Sequence, residues 1–378
     1  CPALKKRNGT RFRFCEKIFM KGSWQYQGVN PSIASGCDLD PLSWVIGNVA
    51  LKEDVLLSQR SVLRGDGENI KVGKGVVFLP RSTVHIATEL LGAIIGDNSI
   101  IGRYSLIHAC TLGKSVLVGD QAVIMDGSVI GNNCLVHANT LVPPGKTFPN
   151  NVVISGSPAK VVEKIDTDKI LKYREELLNE QFFGNSILRA NLIGGDPLAV
   201  LSLKPWIDYP IGKKTISNAA FVAPDSLIRG KVIIGDRVSI WFATVLSSIS
   251  PGFIEVGEGT NIQDNTIIDA GKKVLKIGKR VTVGHNVRLG ACRIGDDCLI
   301  GMGCTVEDGA IIEDGAFVGA KALILKDTIV KSNTIFAGRP AKFFRDVRED
   351  ERTLFGKGQK GYEVFAKNYI SDYKINFN

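Results

Sequence analysis

Aliphatic side chains return at every sixth position along most of this chain, and that spacing leaves few folds open. One series runs Leu39, Val45, Leu51, Leu57 and Leu63, resumes at Ile95, Ile101 and Ile107, and continues through Leu112, Val118, Ile124, Ile130, Val136 and Val142. A second runs Val222, Ile228, Ile234, Ile240 and Leu246, then Val256, Ile262 and Ile268, then Ile277, Val283 and Leu289, and from Ile294 reaches Ile324. An amphipathic helix needs apolar residues three and four apart, and a flat strand needs long alternation at every second residue. Period six instead fits a coil of three short strands and three corners. One aliphatic per face points into a triangular prism, and residues three hexads apart stack. Glycines beside the aliphatics (Gly96, Gly102, Gly119, Gly131, Gly235, Gly284) suit the corners, and 41 glycines with only 7% aromatics fit such a fold. With parallel strands about 4.8 Å apart, six coils make a rod of roughly 30 Å.

The two series are copies of one another. An offset of 182 carries Ile95 to Ile277, Val142 to Ile324, and Ser157-Pro158-Ala159-Lys160 to Arg339-Pro340-Ala341-Lys342. Both slip from six residues to five at the same place, Ile107 to Leu112 and Leu289 to Ile294. After each copy a helix is predicted. In the first, Asp166 or Thr167 is the N-cap, with Ile170, Leu171, Arg174, Leu177 and Leu178 on one face. In the second, Tyr362, Phe365 and Tyr369 form a weaker equivalent. The expected domains are an N-terminal extension over 1–38, a β-helix with its helix over 39–185, a linker over 186–215, and a second β-helix with its helix over 216–378.

Charge and cysteines narrow the partners. The chain carries 47 Lys and Arg against 38 Asp and Glu, a net charge of +9. No basic helix is interleaved with aromatics, so nucleic acid is not an expected partner. No run approaches about 18 uncharged apolar residues, so no transmembrane helix is expected. The 8 cysteines form no CxxC pair, and they are expected to be free, small core residues in a reduced compartment. Lys5, Lys6, Arg7, Arg11 and Arg13 occur with no acid before Glu16, which resembles the end of an organelle-targeting region. The chain opens on Cys1 rather than Met, so a removed or missing leader is expected.

Shorter motifs make both halves resemble γ-class carbonic anhydrases. Arg64-Gly65-Asp66 followed by Ile70-Lys71-Val72-Gly73 is similar to that family's Arg-Gly-Asp signature. Asn261-Ile262-Gln263-Asp264 matches its Asn-x-Gln-Asp, Val283-Gly284-His285 its Gly-His step, and Gly156 to Lys160 and Gly338 to Lys342 its closing Gly-x-Pro-Ala-Lys. The resemblance implies two left-handed parallel β-helix domains, each followed by a C-terminal α-helix, and assembly as a trimer of prisms. It also implies zinc held by three histidines at subunit interfaces. His85 and His108 stand at the first and third ligand positions of the N-terminal copy, where Arg103 occupies the second. His285 stands at the second position of the C-terminal copy, where Asp269 and Gly290 occupy the first and third.

Each ligand set is therefore broken, in complementary ways. At most one Zn²⁺ site is expected, His85, His108 and His285, and only if the linker seats the halves in one rotational order. Arg103 would repel the metal elsewhere. Gln263 and Asn261 are the expected catalytic polar pair, orienting ligands and bound water, with Asp264 in support. Arg64 and Asp66 are expected to form an interface ion pair. His137 is read as structural, and Glu68 and Glu89 as solvated carboxylates rather than proton shuttles.

The resemblance implies a γ-carbonic-anhydrase-like subunit of a heterotrimeric module completed by a third such chain. That module would be a structural or assembly component of the membrane arm of mitochondrial respiratory complex I, on the matrix side of the inner membrane. The alternative is an active zinc carbonic anhydrase hydrating CO2 between its own halves. A hexapeptide acyltransferase using His85 or His108 as base is a third reading, but no acyl-donor loop supports it.

Overall fold

The computed structural model describes residues 22–87, 90–179, 188 and 214–373. Short parallel strands, most of them two or three residues long, wind into two prisms. In the C-terminal copy they form three separate sheets of seven, eight and six strands. In the N-terminal copy two faces merge into one sheet, because Trp44–Leu51 and Val62–Val72 run through a corner without a break. Val62–Val72 pairs at its start with Thr83–His85 and at its end with Ala93–Ile95. Gly65 makes that corner possible, since a Cβ there would sit 2.6 Å from the Asn48 carbonyl oxygen.

The hexad aliphatics fill each prism. Ile95, Ile107 and Val142, and their counterparts Ile277, Leu289 and Ile324, are all buried. Each such side chain contributes about 1.5–3 kcal/mol of burial. The shared slip appears as a shortened coil in both copies. Ile107 pairs with Ile124 and Leu289 with Val306, 17 residues on, whereas Ile124 pairs with Val142 and Val306 with Ile324, 18 on.

Each prism is followed by a helix, α1 (Thr167–Leu178) and α2 (Glu349–Tyr373). Asp166 is the N-cap of α1, accepting the Lys169 amide at 2.9 Å. The α1 packing face is narrower than its sequence suggests. Ile170 and Leu177 are buried against Ile100, Leu117, Leu135 and Val153, while Leu171 and Leu178 face solvent. A flat sheet beneath a short helix offers contact to one stripe only.

Strand pairing also starts earlier than Leu39, at Ser23, inside the stretch read as an extension: Ser23 pairs with Val45 and Ser32 with Ala50. The reason is a third cluster between the prisms, joining Trp24, Tyr26 and Trp44 to Phe221, Trp241 and Phe242 and to Phe365 and Tyr369 of α2. The few aromatics are thus concentrated at the junction. Of the expected linker, only Leu188 and the start of the strand Lys214–Ile216 lie among the described residues, and the basic N-terminal segment and Glu89 lie outside them. No helix among the described residues is long and apolar enough to cross a membrane. All cysteines among them are free, and all of those except Cys37 are buried.

Candidate metal centre

Consecutive coils stack the N-terminal copy's polar residues into a column. Arg64 pairs with His85 and His85 with His108, so the three side chains rise one above another. Against this column the C-terminal copy sets two corner residues from successive coils, Asp264 and His285, linked by the Asn286 amide bonding to the Asp264 carbonyl. Both halves are needed to bring the histidines together.

The three imidazoles are buried, and one nitrogen of each converges on a common point. His85 Nδ1 lies 3.3 Å from His108 Nε2 and 3.2 Å from His285 Nε2. The three nitrogens all lie within 4.8 Å of one another. A tetrahedral ion with bonds of 2.0–2.1 Å sets its ligand nitrogens about 3.3 Å apart, which the two separations from His85 match, and three imidazoles are a donor set that zinc takes.

The remaining nitrogens face carboxylates. His85 Nε2 is 3.1 Å from Asp66, His108 Nδ1 is 2.5 Å from Asp126, and His285 Nδ1 is 3.1 Å from Asp264, off the line of a hydrogen bond. Carboxylates behind ligating histidines fix the tautomer that points a lone pair inward.

Arg64 ties the halves together. Its Nε and one terminal nitrogen donate to Asp264 Oδ2 at 3.1 and 2.9 Å, and the other terminal nitrogen pairs with Asp66. Its guanidinium lies 4.2 Å from the centre of the Trp241 ring. Burial disfavours the Arg64 charge, but Asp264 and Asp66 hold it protonated. The Asp264 carboxyl, also bonded by the Phe242 amide, is held below its ordinary value by Arg64 against the cost of burial. Burial raises Asp66 despite Arg64. His85 is pushed well down by burial and then by Arg64, and His285 down to about 4, chiefly by burial. Both rings are neutral at pH 7, the form that binds metal.

Tyr362 of α2 closes one side. Its hydroxyl is 3.3 Å from His285 Nε2, the nitrogen that faces the other two rings, and 3.5 Å from Arg64. Tyr369 adds a hydroxyl 3.4 Å from Asp66. Gln263 Nε2 donates to Asn261 Oδ1 at 3.1 Å, and Asn261 Nδ2 donates to Thr282 at 2.9 Å. Gln263 Oε1 is buried without a hydrogen-bond partner.

The bacterial transferase hexapeptide (six repeats) family matches residues 109–144 and 291–326. The chain is 42% identical over 147 residues to a carbonic anhydrase from Geobacillus kaustophilus, covering 38% of this chain and 80% of that one. The chain belongs to the γ-carbonic anhydrase family. It is also 37% identical over 169 residues to the mitochondrial gamma carbonic anhydrase 2 of Arabidopsis thaliana, covering 43% of this chain and 60% of that protein. The chain thus spans about 60% of the length of its plant relatives. An acetyltransferase-like structure from Desulfovibrio desulfuricans G20 aligns over 94% of this chain and 81% of its own with a TM-score of 0.52; at 14% identity, the likeness concerns the fold alone.

Other expected positions sit elsewhere. Asp269 is exposed and accepts the Gly271 amide, and Gly290 offers no side chain. The fixed charge expected of Arg103 is compensated: its Nε donates to the buried Asp120 at 2.9 Å, so it fails as a ligand for want of a lone pair rather than by repelling the ion. Glu68 is half-buried in the strand that carries Asp66, and His137 stands outside the triad.

Two neighbours of the triad escaped the sequence reading. Asp126 lies 18 residues after His108, one coil on, and that spacing could have revealed it. Tyr362 was expected only as a packing residue, and no local signal says which prism edge α2 follows.

Proposed function

We propose that the junction is a composite zinc centre serving CO2 hydration, with His85 and His108 from the N-terminal copy and His285 from the C-terminal copy. The observation that carries this reading is the set of three buried imidazoles converging at one point, His85 at tetrahedral spacing from both others, each with a carboxylate behind it. Zinc in an open three-histidine site lowers the pKa of bound water to about 7 and supplies a nucleophile at neutral pH. The chain's own contribution is positional. Asp66 and Asp126 orient the rings of His85 and His108, and Arg64 with Asp264 locks the two halves in register. Tyr362 stands beside the inward nitrogens, where its hydroxyl can donate to a small oxygen ligand. Gln263, with its unpartnered acceptor, and Asn261 are the polar pair we assign to the substrate side. Natively purified protein should carry a single zinc per chain and hydrate CO2 in a stopped-flow assay. Metal-free native protein without hydration activity would reject the reading.

A second reading rests on the other prism faces. Asp269, Gly290 and Arg103 leave them without ligand sets, which suits a scaffold prism in a heterotrimer completed by a third γ-carbonic-anhydrase-like chain. Plant relatives named as mitochondrial support a mitochondrial place, and the resemblance puts such a prism on the matrix side of the inner membrane, attached to respiratory complex I. Co-migration with that complex on native gels tests it, and recovery only as a free assembly would reject it.

A further inference from the structure

The copies also meet through their corner columns, away from the histidines. On the C-terminal copy Asn265, Asn286, Gly303 and Lys321 occupy successive left-handed corners, and Arg81, Tyr104, Gln121 and Asn139 do so opposite them. Cross-links join the columns at most levels. Arg81 donates to Asn265 Oδ1 at 3.3 Å, Asn286 Nδ2 to the Tyr104 carbonyl at 2.8 Å, and Lys321 Nζ to the Gln121 carbonyl at 2.8 Å and Asn139 Oδ1 at 3.3 Å. Gly303 interrupts the series. Beside it lies a cavity of about 60 Å³ whose lining includes Tyr104, Gln121, Asn286, Arg288 and Lys321. A Cβ at Gly303, where φ is +68°, would approach both Lys321 Cδ and Val123 Cγ2 to 2.9 Å.

The charge around this cavity is one-sided. Lys321 is 2% exposed, and its two bonds leave one ammonium hydrogen over. No carboxylate pairs with Lys321 or Arg288 among the described residues, and the charged side chain that acts on Lys321 is another cation, Arg339. Burial, then Arg339, lowers the Lys321 pKa to about 7. A buried cation without a counter-charge is costly, and an anion relieves that cost. The volume is well beyond the roughly 10–15 Å³ that admits one water, so an oxyanion of four or five heavy atoms has room.

We propose that this cavity is a binding site for a small oxyanion of bicarbonate or phosphate size, held by Lys321 Nζ and the Arg288 guanidinium at the seam between the two copies. The inference is independent of zinc and of CO2 hydration. The test uses the full chain after metal removal, so that anions at the histidines do not contribute. Calorimetric titration with sodium bicarbonate and, separately, sodium phosphate is run at constant ionic strength, with sodium chloride as control. At least one oxyanion should bind saturably and raise the unfolding midpoint, and the preferred one identifies the source. Lys321→Met and Arg288→Gln should each weaken binding about tenfold or more. Should Lys321→Met fail to fold, the partly exposed Arg288 decides. An equal response to chloride, or affinity unchanged in Arg288→Gln, overturns the proposal.

Discussion

The N-terminal and C-terminal copies share an interior and differ at their corners. Ile95 and Ile277, or Ile107 and Leu289, are interchangeable aliphatics in equivalent buried places. At the corners, His85 and His108 face Asp269 and Gly290 across the duplication, and Arg103 faces His285. Close packing constrains the volume inside a prism. Outward corner side chains are constrained only where another surface meets them. The corners that the junction covers carry a buried, mutually bonded set, Arg64, Asp66, Asp264 and the histidines, whereas Asp269, the counterpart of His85, is exposed.

The sharpest way to break this contrast is to remove one histidine from each side. His285→Ala and His85→Ala should each abolish metal binding, because two imidazoles do not make the site; zinc analysis of the purified variants reads this. Asp269→His should leave the metal content unchanged, since Gly290 supplies no companion ligand. Next in size is the charge bridge. Arg64→Ala leaves Asp264 and Asp66 buried without their partner and should cost about 3–5 kcal/mol in denaturant unfolding. A loss below about 1 kcal/mol would mean that the aromatic cluster alone holds the halves.

Acid should probe the same seam. His285 has a folded-state value of about 4 against an ordinary 6.5, so the unfolded chain takes up the proton first. The contribution of His285 to metal-free stability is therefore complete above about pH 6.5 and is lost as pH falls toward about 4. His285→Ala should remove that part of the pH dependence in thermal melts. The smallest effect expected is at Gly356, exposed within α2, where a Cβ meets nothing within 4 Å. Gly356→Ala should stabilise α2 by about 0.5–1 kcal/mol without altering metal content, as melts and zinc analysis would show.

Several of these features are legible in the chain itself. The aliphatic hexads, the common slip and the 182-residue offset are local patterns, so they specify two β-helices before any contact is known. Asp166 capping α1 is equally local. Leu171 and Leu178 were misleading because amphipathic spacing shows which residues could pack, while the surface beneath the helix determines how many do. Trp24 and Tyr26 lie outside the hexad series and gave no sign that they belong to the junction. Tyr362 likewise depends on the path of α2 along the seam.

The sequence alone established the prism, its duplication and which positions carry imidazoles, because each coil repeats a short rule that neighbouring coils must share. It could not establish that His285 meets His85, 200 residues away. Two prisms with the same interior can pack by any of their edges, and no hexad records which. That choice was made by the aromatic cluster of Trp24, Trp44, Trp241, Phe242 and Tyr369 and by Arg64 bonding across to Asp264. In that seating the large apolar surface is buried and the buried charge is satisfied together, and the histidine triad closes.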